Sequence, residues 1–262
     1  MIKIDCKKYA DEIIEHVAAL PNKRKALTIY TAGDNPASAA YMKGKIADCE
    51  RCGIPVRQVQ VYMPEELYFR ISMENADPYT GGIIVQLPLP EGFDEMKAVN
   101  AVDINKDVDG FKHNSPFLPC TPEAIMYVLE KEIGNLAGRD VLLIGKGKLV
   151  GRPLIDMLLN RGCTLTIAHS KTLDLEEIMY GRGWNAVITA VGKPRLVDLK
   201  YIYADVVIDA GISRDENGKL CGDCYNFKDT GRGMKVTTVP GGIGLMTRAM
   251  LMKHMGKVNW ND

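Results

Sequence analysis

The sequence predicts an α/β protein of two domains, with parallel sheets and helices between the strands. Three observations lead to this prediction. Short apolar runs alternate with helical patterns along the chain, and glycines and prolines separate them at turn positions. The 262 residues suffice for two cores of ordinary size.

The composition is that of an ordinary globular protein. Hydrophobic residues make up 46% and charged residues 25%, and 33 basic residues balance 33 acidic ones. This balance gives no basic footprint for nucleic acid. No apolar run approaches the ~18 residues of a transmembrane helix, and the start lacks the layout of a signal peptide. We therefore expect a cytoplasmic protein with neither a nucleic-acid nor a membrane partner.

The cysteines form an odd set of seven, scattered through the chain. Cys221 and Cys224 have the CxxC spacing, but the sequence has no second Cys or His pair at the spacing that zinc sites show. We expect reduced thiols and no metal site.

The first half of the chain predicts repeated β-α-β units. ALTIY (26–30) predicts a strand, and Pro36 is typical of the first turn of a helix, here over about 36–52. IPVRQVQVY (54–62) alternates with period two, a helical segment follows, and GGIIVQLPLP (81–90) predicts a buried strand stopped by prolines. Such units build a parallel sheet.

A proline-rich segment over 116–122 predicts a domain boundary. Beyond it, strand and helix patterns alternate in the manner of a doubly wound nucleotide-binding unit. A glycine-rich loop near residue 240 then leads into a final amphipathic helix. We expect a dinucleotide-binding domain over 119–239 and a catalytic domain made of 1–118 with 240–262.

A glycine turn opens the predicted dinucleotide domain. VLLIGKGKLVG places Gly145, Gly147 and Gly151 between a strand and a helix. The spacing GxGxxxG alone also suits a plain tight turn. In this context, backbone N–H groups and the helix dipole can hold a pyrophosphate, so we predict cofactor binding here.

The end of the next predicted strand bears on the choice of dinucleotide. NAD sites usually carry an acidic side chain there, for the ribose 2′-OH. This chain has His169, Ser170 and Lys171 instead, with Lys146 in the glycine turn. These donors and charges favour a 2′-phosphate, so we predict NADP. The alternative is an ordinary polar strand end.

Three polar side chains stand out in the first domain. Tyr41 and Lys45 lie four residues apart and share one face of the predicted helix. Gln86 interrupts an apolar strand near its carboxyl end, where parallel-sheet enzymes bind ligands. A buried amide needs a partner, and the Lys45 amine is a plausible one.

KDVDGF places two carboxylates, Asp107 and Asp109, beside a glycine. Such carboxylates often cap turns. A carboxylate can also accept two N–H groups from an aminopyrimidine-type ring. The residues by themselves leave both interpretations open.

Nine motifs occur in the order found in one enzyme family: ASAAYMKGK, GGIIVQLPLP, KDVDGF, PCTPEA, IGKGKLVGRP, AHSKT, AVGKP, VVIDAGI and VPGGIGLMT. On these motifs the chain resembles methylenetetrahydrofolate dehydrogenase/cyclohydrolase, the bifunctional folate enzyme, over essentially its full length. The resemblance implies a folate-binding catalytic domain, a Rossmann domain for NADP, a cleft between them, and a terminal helix that returns to the first domain.

The resemblance implies roles for four residues of the catalytic domain. Tyr41 would stack along the folate ring system, and Lys45 would be the chief catalytic group. Gln86 would orient Lys45, and Asp109 would bind the pterin.

The same resemblance implies that the loop of Pro240, Gly241 and Gly242 borders the substrate. Lys146 stands where the family commonly has Arg, while His169 and Ser170 stand where the 2′-phosphate is held. A homodimer and a place in one-carbon metabolism and purine biosynthesis are likewise implied.

The implied chemistry is oxidation of 5,10-methylenetetrahydrofolate with NADP, followed by hydrolysis of the methenyl cation to 10-formyltetrahydrofolate. The chain departs from the family pattern in four places, two of which are single positions near the expected ligands: Gly147 lacks a hydroxyl, and Leu245 replaces a proline. Three alternatives stand beside the bifunctional enzyme. They are a dehydrogenase with little cyclohydrolase activity or with NAD as cofactor, a binding protein without turnover, and a small-acid dehydrogenase.

Overall fold

A computed structural model describes residues 1–21, 25–33, 36–229 and 231–260, without the side chains of 36–41 and 259–260. The chain divides into two compact units. The first unit consists of residues 10–120 and 248–262, and the second of residues 1–9 and 121–247. The two-domain α/β fold that the sequence predicts is confirmed.

The helices are α1 (Cys6–Ala19), α2 (Pro36–Cys52), α3 (Pro64–Ala76), α4 (Glu95–Ala101), α5 (Cys120–Ile133), α6 (Gly151–Asn160), α7 (Leu175–Tyr180) and α8 (Ile243–Trp260), with a 3-10 turn at Ile104–Lys106. The strands are β1 (Ile2–Lys3), β2 (Ala26–Ala32), β3 (Val56–Val61), β4 (Thr80–Val85), β5 (Asp140–Ile144), β6 (Thr164–Ala168), β7 (Trp184–Thr189), β8 (Val197–Asp198), β9 (Ala204–Asp209), β10 (Ser213–Arg214), β11 (Leu220–Cys221), β12 (Cys224–Tyr225) and β13 (Lys235–Val236).

The first unit is built on a parallel sheet in the order β3-β2-β4. Leu27 of the central strand pairs with Val56 on one side and with Gly82 on the other. β2 and β4 are almost wholly buried, as expected of strands covered on both faces. Helix α2 begins at Pro36 as the sequence predicts, since proline has the backbone angle of the first helical turn and needs no N–H partner there.

Helix α8 is not the amphipathic helix that the sequence predicts. Met250, Leu251 and Met252 are consecutive in the chain and all buried, so the helix is enclosed on more than one side. Its later turns pack in the first unit. A Cβ atom at Gly82 would lie 2.6 Å from the sulfur of Met255, so only glycine lets β4 approach the helix this closely.

The second unit contains a six-stranded parallel sheet in the order β6-β5-β7-β9-β13-β1. The four longer strands are those the sequence predicts. The sequence analysis missed β1 and β13, because two residues carry no detectable pattern. β6 follows β5 in the chain and pairs with one edge of β5, while β7 pairs with the opposite edge. The carboxyl ends of β5 and β7 therefore flank the position where such sheets bind ligands.

The units differ from the predicted domain bounds in three places. Residues 119–120, predicted to begin the dinucleotide-binding domain, group with the first unit. Residues 1–9 belong to the second unit, where β1 extends the sheet beside β13. Residues 240–247, which the sequence analysis assigns to the catalytic domain, also group with the second unit. The division of functions between the domains stays a prediction. Within the described part of the chain, no helix combines the length and apolar character that crossing a membrane requires.

Candidate active site

Lys45 and Gln86 meet in the first unit. Lys45 lies on α2 and is only 4% exposed, and its Nζ donates a hydrogen bond to Oε1 of Gln86 at 3.1 Å. The structure thus contains the contact that the sequence predicts. Gln86 stands one residue beyond the end of β4 rather than within it, although its backbone N–H still bonds to the carbonyl of Tyr30, at 2.9 Å.

The Gln86 amide is fixed at both ends. While Oε1 accepts from Lys45, Nε2 donates to the carbonyl oxygen of Leu87 at 2.8 Å. This second bond determines which end of the amide faces the lysine. Tyr41 is on the same helix one turn before Lys45, but its side chain lies outside the described part of the structure, so its predicted stacking role stays a prediction.

The structure separates the roles of the two carboxylates in KDVDGF. Asp107 is buried and accepts hydrogen bonds from the backbone N–H groups of Phe111, at 3.2 Å, and Lys112, at 2.8 Å. It therefore serves the turn-capping role that the sequence analysis considered for both residues. Asp109 is partly exposed.

The pKa of Asp109 is raised above its ordinary value because burial penalises the charged form. The positive charge of Lys45 opposes this rise, and the negative charge of Asp107 adds to it. A carboxyl group with a perturbed pKa that interacts electrostatically with a buried lysine is typical of a functional site. We therefore place Asp109 with Lys45 and Gln86 in one candidate site.

The backbone that carries Asp109 is held by two residues the sequence analysis did not single out. His254 on α8 is buried, and its Nδ1 lies 2.8 Å from the carbonyl oxygen of Val108, which makes Nδ1 the protonated nitrogen. The Cys120 sulfur approaches the same oxygen at 3.4 Å, and the Cys120 N–H bonds to the carbonyl of Asp109 at 3.2 Å. PCTPEA was a recognisable motif, but nothing in it indicated this contact.

The glycine turn of the second unit follows β5 and enters α6. Gly145 has a positive φ of 113°, and a Cβ atom there would lie 2.6 Å from the carbonyl oxygen of Ala190. At Gly151 a Cβ atom would lie 2.3 Å from the Gly145 carbonyl oxygen. Both positions therefore require glycine for close packing. A Cβ atom at Gly147, by contrast, would meet nothing within 4 Å.

The end of β6 presents donors and no carboxylate. Ser170 and Lys171 are exposed, and the Lys171 N–H donates to His169 Nδ1 at 3.1 Å. A neutral His169 therefore carries its proton on Nε2, where it can donate to a ligand. With exposed Lys146 in the glycine turn, these residues fit a dinucleotide that has a 2′-phosphate.

Two exposed apolar side chains that follow strands of the second sheet were not predicted. Val191 follows β7 and is 45% exposed, and Ile212 follows β9 and is 59% exposed. The motifs AVGKP and VVIDAGI contain them, but apolar residues at strand ends carry no signal that separates core from ligand contact.

The predicted loop of Pro240, Gly241 and Gly242 precedes α8. The Thr238 hydroxyl donates to the carbonyl of Pro240 at 3.1 Å, and a Cβ atom at Gly242 would lie 2.4 Å from the Thr238 carbonyl oxygen. The loop belongs to the second unit, whereas Lys45, Gln86 and Asp109 belong to the first. Among the described residues, no three His, Cys, Asp or Glu side chains form a metal-binding group.

Comparison with known proteins accounts for nearly the whole chain. Residues 4–109 match the catalytic domain of tetrahydrofolate dehydrogenase/cyclohydrolase, and residues 119–260 match its NAD(P)-binding domain. The bifunctional protein FolD of Azoarcus sp. (strain BH72) is 40% identical, over 93% of this chain and 89% of the relative.

Solved structures agree with this match. The bifunctional FolD enzyme from Campylobacter jejuni has a TM-score of 0.91 at 34% identity, covering 100% of this chain and 99% of the other. The Trypanosoma brucei N5,N10-methylenetetrahydrofolate dehydrogenase-cyclohydrolase, solved with NADP cofactor and an inhibitor, has a TM-score of 0.88 at 26% identity, covering 99% and 97%. This chain belongs to the tetrahydrofolate dehydrogenase/cyclohydrolase family.

Proposed function

We propose that this chain oxidises 5,10-methylenetetrahydrofolate to the 5,10-methenyl cation with NADP, hydrolyses that cation to 10-formyltetrahydrofolate, and uses Lys45 as the proton-transfer group. The two activities follow from the family to which the chain belongs. The observation that carries the role of Lys45 is its buried amine, held by the Gln86 amide oxygen at 3.1 Å.

The bound dinucleotide supplies a hydride acceptor for the first reaction. The residues around it bind and orient. Lys146, His169, Ser170 and Lys171 would receive the 2′-phosphate, and the glycine turn would receive the pyrophosphate. The relative crystallised with NADP supports this choice of cofactor.

Lys45 would act as a neutral amine, because an ammonium group would repel the methenyl cation. Gln86 accepts one N–H of the amine and so orients its lone pair. As water adds to the methenyl carbon, Lys45 takes a proton from it. The C–N5 bond then breaks as N5 takes that proton from Lys45, the hydroxyl group loses its own proton to solvent as the carbonyl forms, and the formyl group stays on N10.

Asp109 would bind the pterin ring through two N–H donors, for which it must be ionised. The N–H donors of the ring would themselves favour this form, because hydrogen bonds to a carboxylate lower its pKa. Substrate binding and proton transfer would therefore involve neighbouring groups of one unit.

The test is an absorbance assay with methylenetetrahydrofolate, run with NADP and NAD in parallel, and a separate assay of methenyl hydrolysis. The proposal expects both reactions, with NADP the preferred cofactor. Oxidation without hydrolysis would favour the dehydrogenase alternative, and equal rates with NAD would contradict the cofactor assignment. Tight folate binding without turnover would indicate a binding protein.

We also propose a cytoplasmic homodimer that supplies formyl groups to purine biosynthesis. One surface of the first unit supports self-association: Tyr62, Phe69 and Met73 are each at least 60% exposed. They lie beside β3, an edge strand of the described sheet, and edge strands offer unpaired backbone groups.

Light scattering during gel filtration tests the dimer. The parent should have the mass of a dimer, and Phe69→Ser should shift the measured mass towards that of a monomer. Leu173→Ser, which changes an 82% exposed leucine in the second unit, is the matched control and should leave the mass unchanged. A parent monomer would contradict the proposal.

A further inference from the structure

Asp223 is a fully buried carboxylate to which neither the sequence analysis nor the proposed function gives a role. Its side chain accepts three hydrogen bonds in the second unit. The Thr189 hydroxyl and the Val191 N–H donate to Oδ2, the latter at 2.8 Å, and the Lys193 N–H donates to Oδ1 at 2.7 Å.

All three donors belong to the end of β7 and the loop that follows it, residues 190–193. This loop borders the glycine turn, because a Cβ atom at Gly145 would lie 2.6 Å from the carbonyl oxygen of Ala190. Since β5 and β7 flank the position where the strand order reverses, the loop stands at the place where such sheets bind a dinucleotide.

Asp223 is itself rigidly placed. Asp209, also fully buried, accepts hydrogen bonds from the backbone N–H groups of Asp223, at 3.1 Å, and Cys224, at 2.9 Å. A Cβ atom at Gly211 would lie 2.2 Å from the carboxyl carbon of Asp223, and one at Gly222 would lie 2.1 Å from Asp209 Oδ2. The two glycines thus make room for the two carboxylates.

The arrangement of donors requires a carboxylate. The two oxygens accept N–H groups from different residues, so an amide in this place would turn its NH₂ group towards one of the two N–H donors. A buried donor that loses its acceptor is costly, and the loop would move to relieve it.

We propose that Asp223 is a positioning residue for the dinucleotide, and that its carboxylate fixes loop 190–193 in the conformation that NADP requires. Because Asp223 has no exposed surface, it acts through the loop rather than by contact with the cofactor. The inference rests on the proposed function, since it assumes that the second unit binds NADP.

The test compares Asp223→Asn with the parent in three measurements. Calorimetry should show NADP affinity reduced on the order of tenfold or more, as for loss of a hydrogen bond to a charged group. Hydrogen exchange without cofactor should be faster in the peptide that contains residues 190–193. The hydrolysis of methenyltetrahydrofolate, which uses no dinucleotide, should stay within about twofold of the parent, since that chemistry is assigned to the first unit.

A second pair of variants covers the case in which Asp223→Asn does not fold. Thr189→Val removes one donor to Asp223 with little change of shape, and Thr189→Ser keeps the hydroxyl. Only the Val variant should lose NADP affinity. Unchanged NADP affinity in Asp223→Asn or Thr189→Val would overturn the inference, and so would an equal loss of hydrolysis, which indicates a general structural role. A parent that binds no NADP would instead refute the proposed function.

Discussion

Lys45 Nζ and Gln86 Oε1 lie 3.1 Å apart, although 41 residues separate them in the chain. The contact connects helix α2 to the segment after strand β4. Because the second end of the Gln86 amide is bonded to the Leu87 carbonyl, the amide presents an acceptor and not a donor to the lysine. This arrangement suits an amine that must exchange protons during a reaction.

Lys45→Met should abolish most of the hydrolysis while the protein still folds. Methionine keeps a similar apolar stem and removes the amine. Hydrolysis of methenyltetrahydrofolate should fall by ~10²–10⁴, the usual contribution of general acid–base catalysis, and oxidation should fall less, because hydride transfer depends on positioning. Lys43→Met, at an exposed position of the same helix, is the control. A Lys45→Met protein that hydrolyses at the parent rate would remove Lys45 from the mechanism.

Gln86→Glu should impair hydrolysis with little change in folate KM. The new carboxylate would hold Lys45 as an ammonium group, and the donor to Leu87 would be lost. The hydrolysis rate should recover as pH rises, which a purely structural defect would not produce. The measurement is the hydrolysis rate as a function of pH for this variant and for the control Gln58→Glu, which changes an exposed position on β3. A loss of rate in Gln86→Glu that does not depend on pH would contradict the prediction.

Asp109→Asn should weaken folate binding and stabilise the protein. Losing the charge-assisted contact should cost about 1.5–3 kcal/mol of folate binding, with NADP binding retained. The raised pKa of Asp109 means that ionising this residue opposes folding, so its favourable contribution is complete below the ordinary aspartate pKa and is lost as pH rises through the raised value.

Thermal melts of Asp109→Asn and the parent from acid to neutral pH test this sign. The variant should gain stability over the parent as pH rises. A constant difference would mean that Asp109 has no raised pKa. In the parent, folate affinity should fall as pH drops through the same range, because protonation removes one acceptor.

Ser170→Asp should weaken the binding of NADP more than that of NAD, because a carboxylate at the end of β6 would repel the 2′-phosphate. Ser170→Asn is similar in size and uncharged, so it separates charge from bulk. The measurement is kcat/KM with both cofactors. Parallel losses with NADP and NAD would show that Ser170 is not beside the phosphate.

The glycines of the turn should differ sharply in their tolerance of substitution. Gly145→Ala should abolish NADP binding, because its Cβ would collide with the Ala190 carbonyl and its φ is positive. Gly147→Ala should be tolerated, since open space surrounds that position. Gly147→Ser supplies the hydroxyl that the family pattern has, and should raise NADP affinity about two- to tenfold. Calorimetry on the three variants checks this order, and equal affinities would contradict it.

The sequence by itself determined the alternation of strands and helices, the glycine turn and the polar residues Lys45 and Gln86. Each of these leaves a local signal: a periodicity, a glycine between strand and helix, or a polar residue in an apolar run. The start of α2 at Pro36 was predictable for the same reason.

The tertiary structure alone decided that Asp107 caps a turn. The pattern KDVDGF by itself does not separate Asp107 from Asp109, and only the positions of the Phe111 and Lys112 N–H groups do so. The contact of His254 with the Val108 carbonyl and the hydrogen bonds from loop 190–193 to Asp223 were hidden in the same way. Their partners lie far apart in the chain, and hydrogen bonds between distant segments have no sequence period, because they depend on where packing brings the backbone.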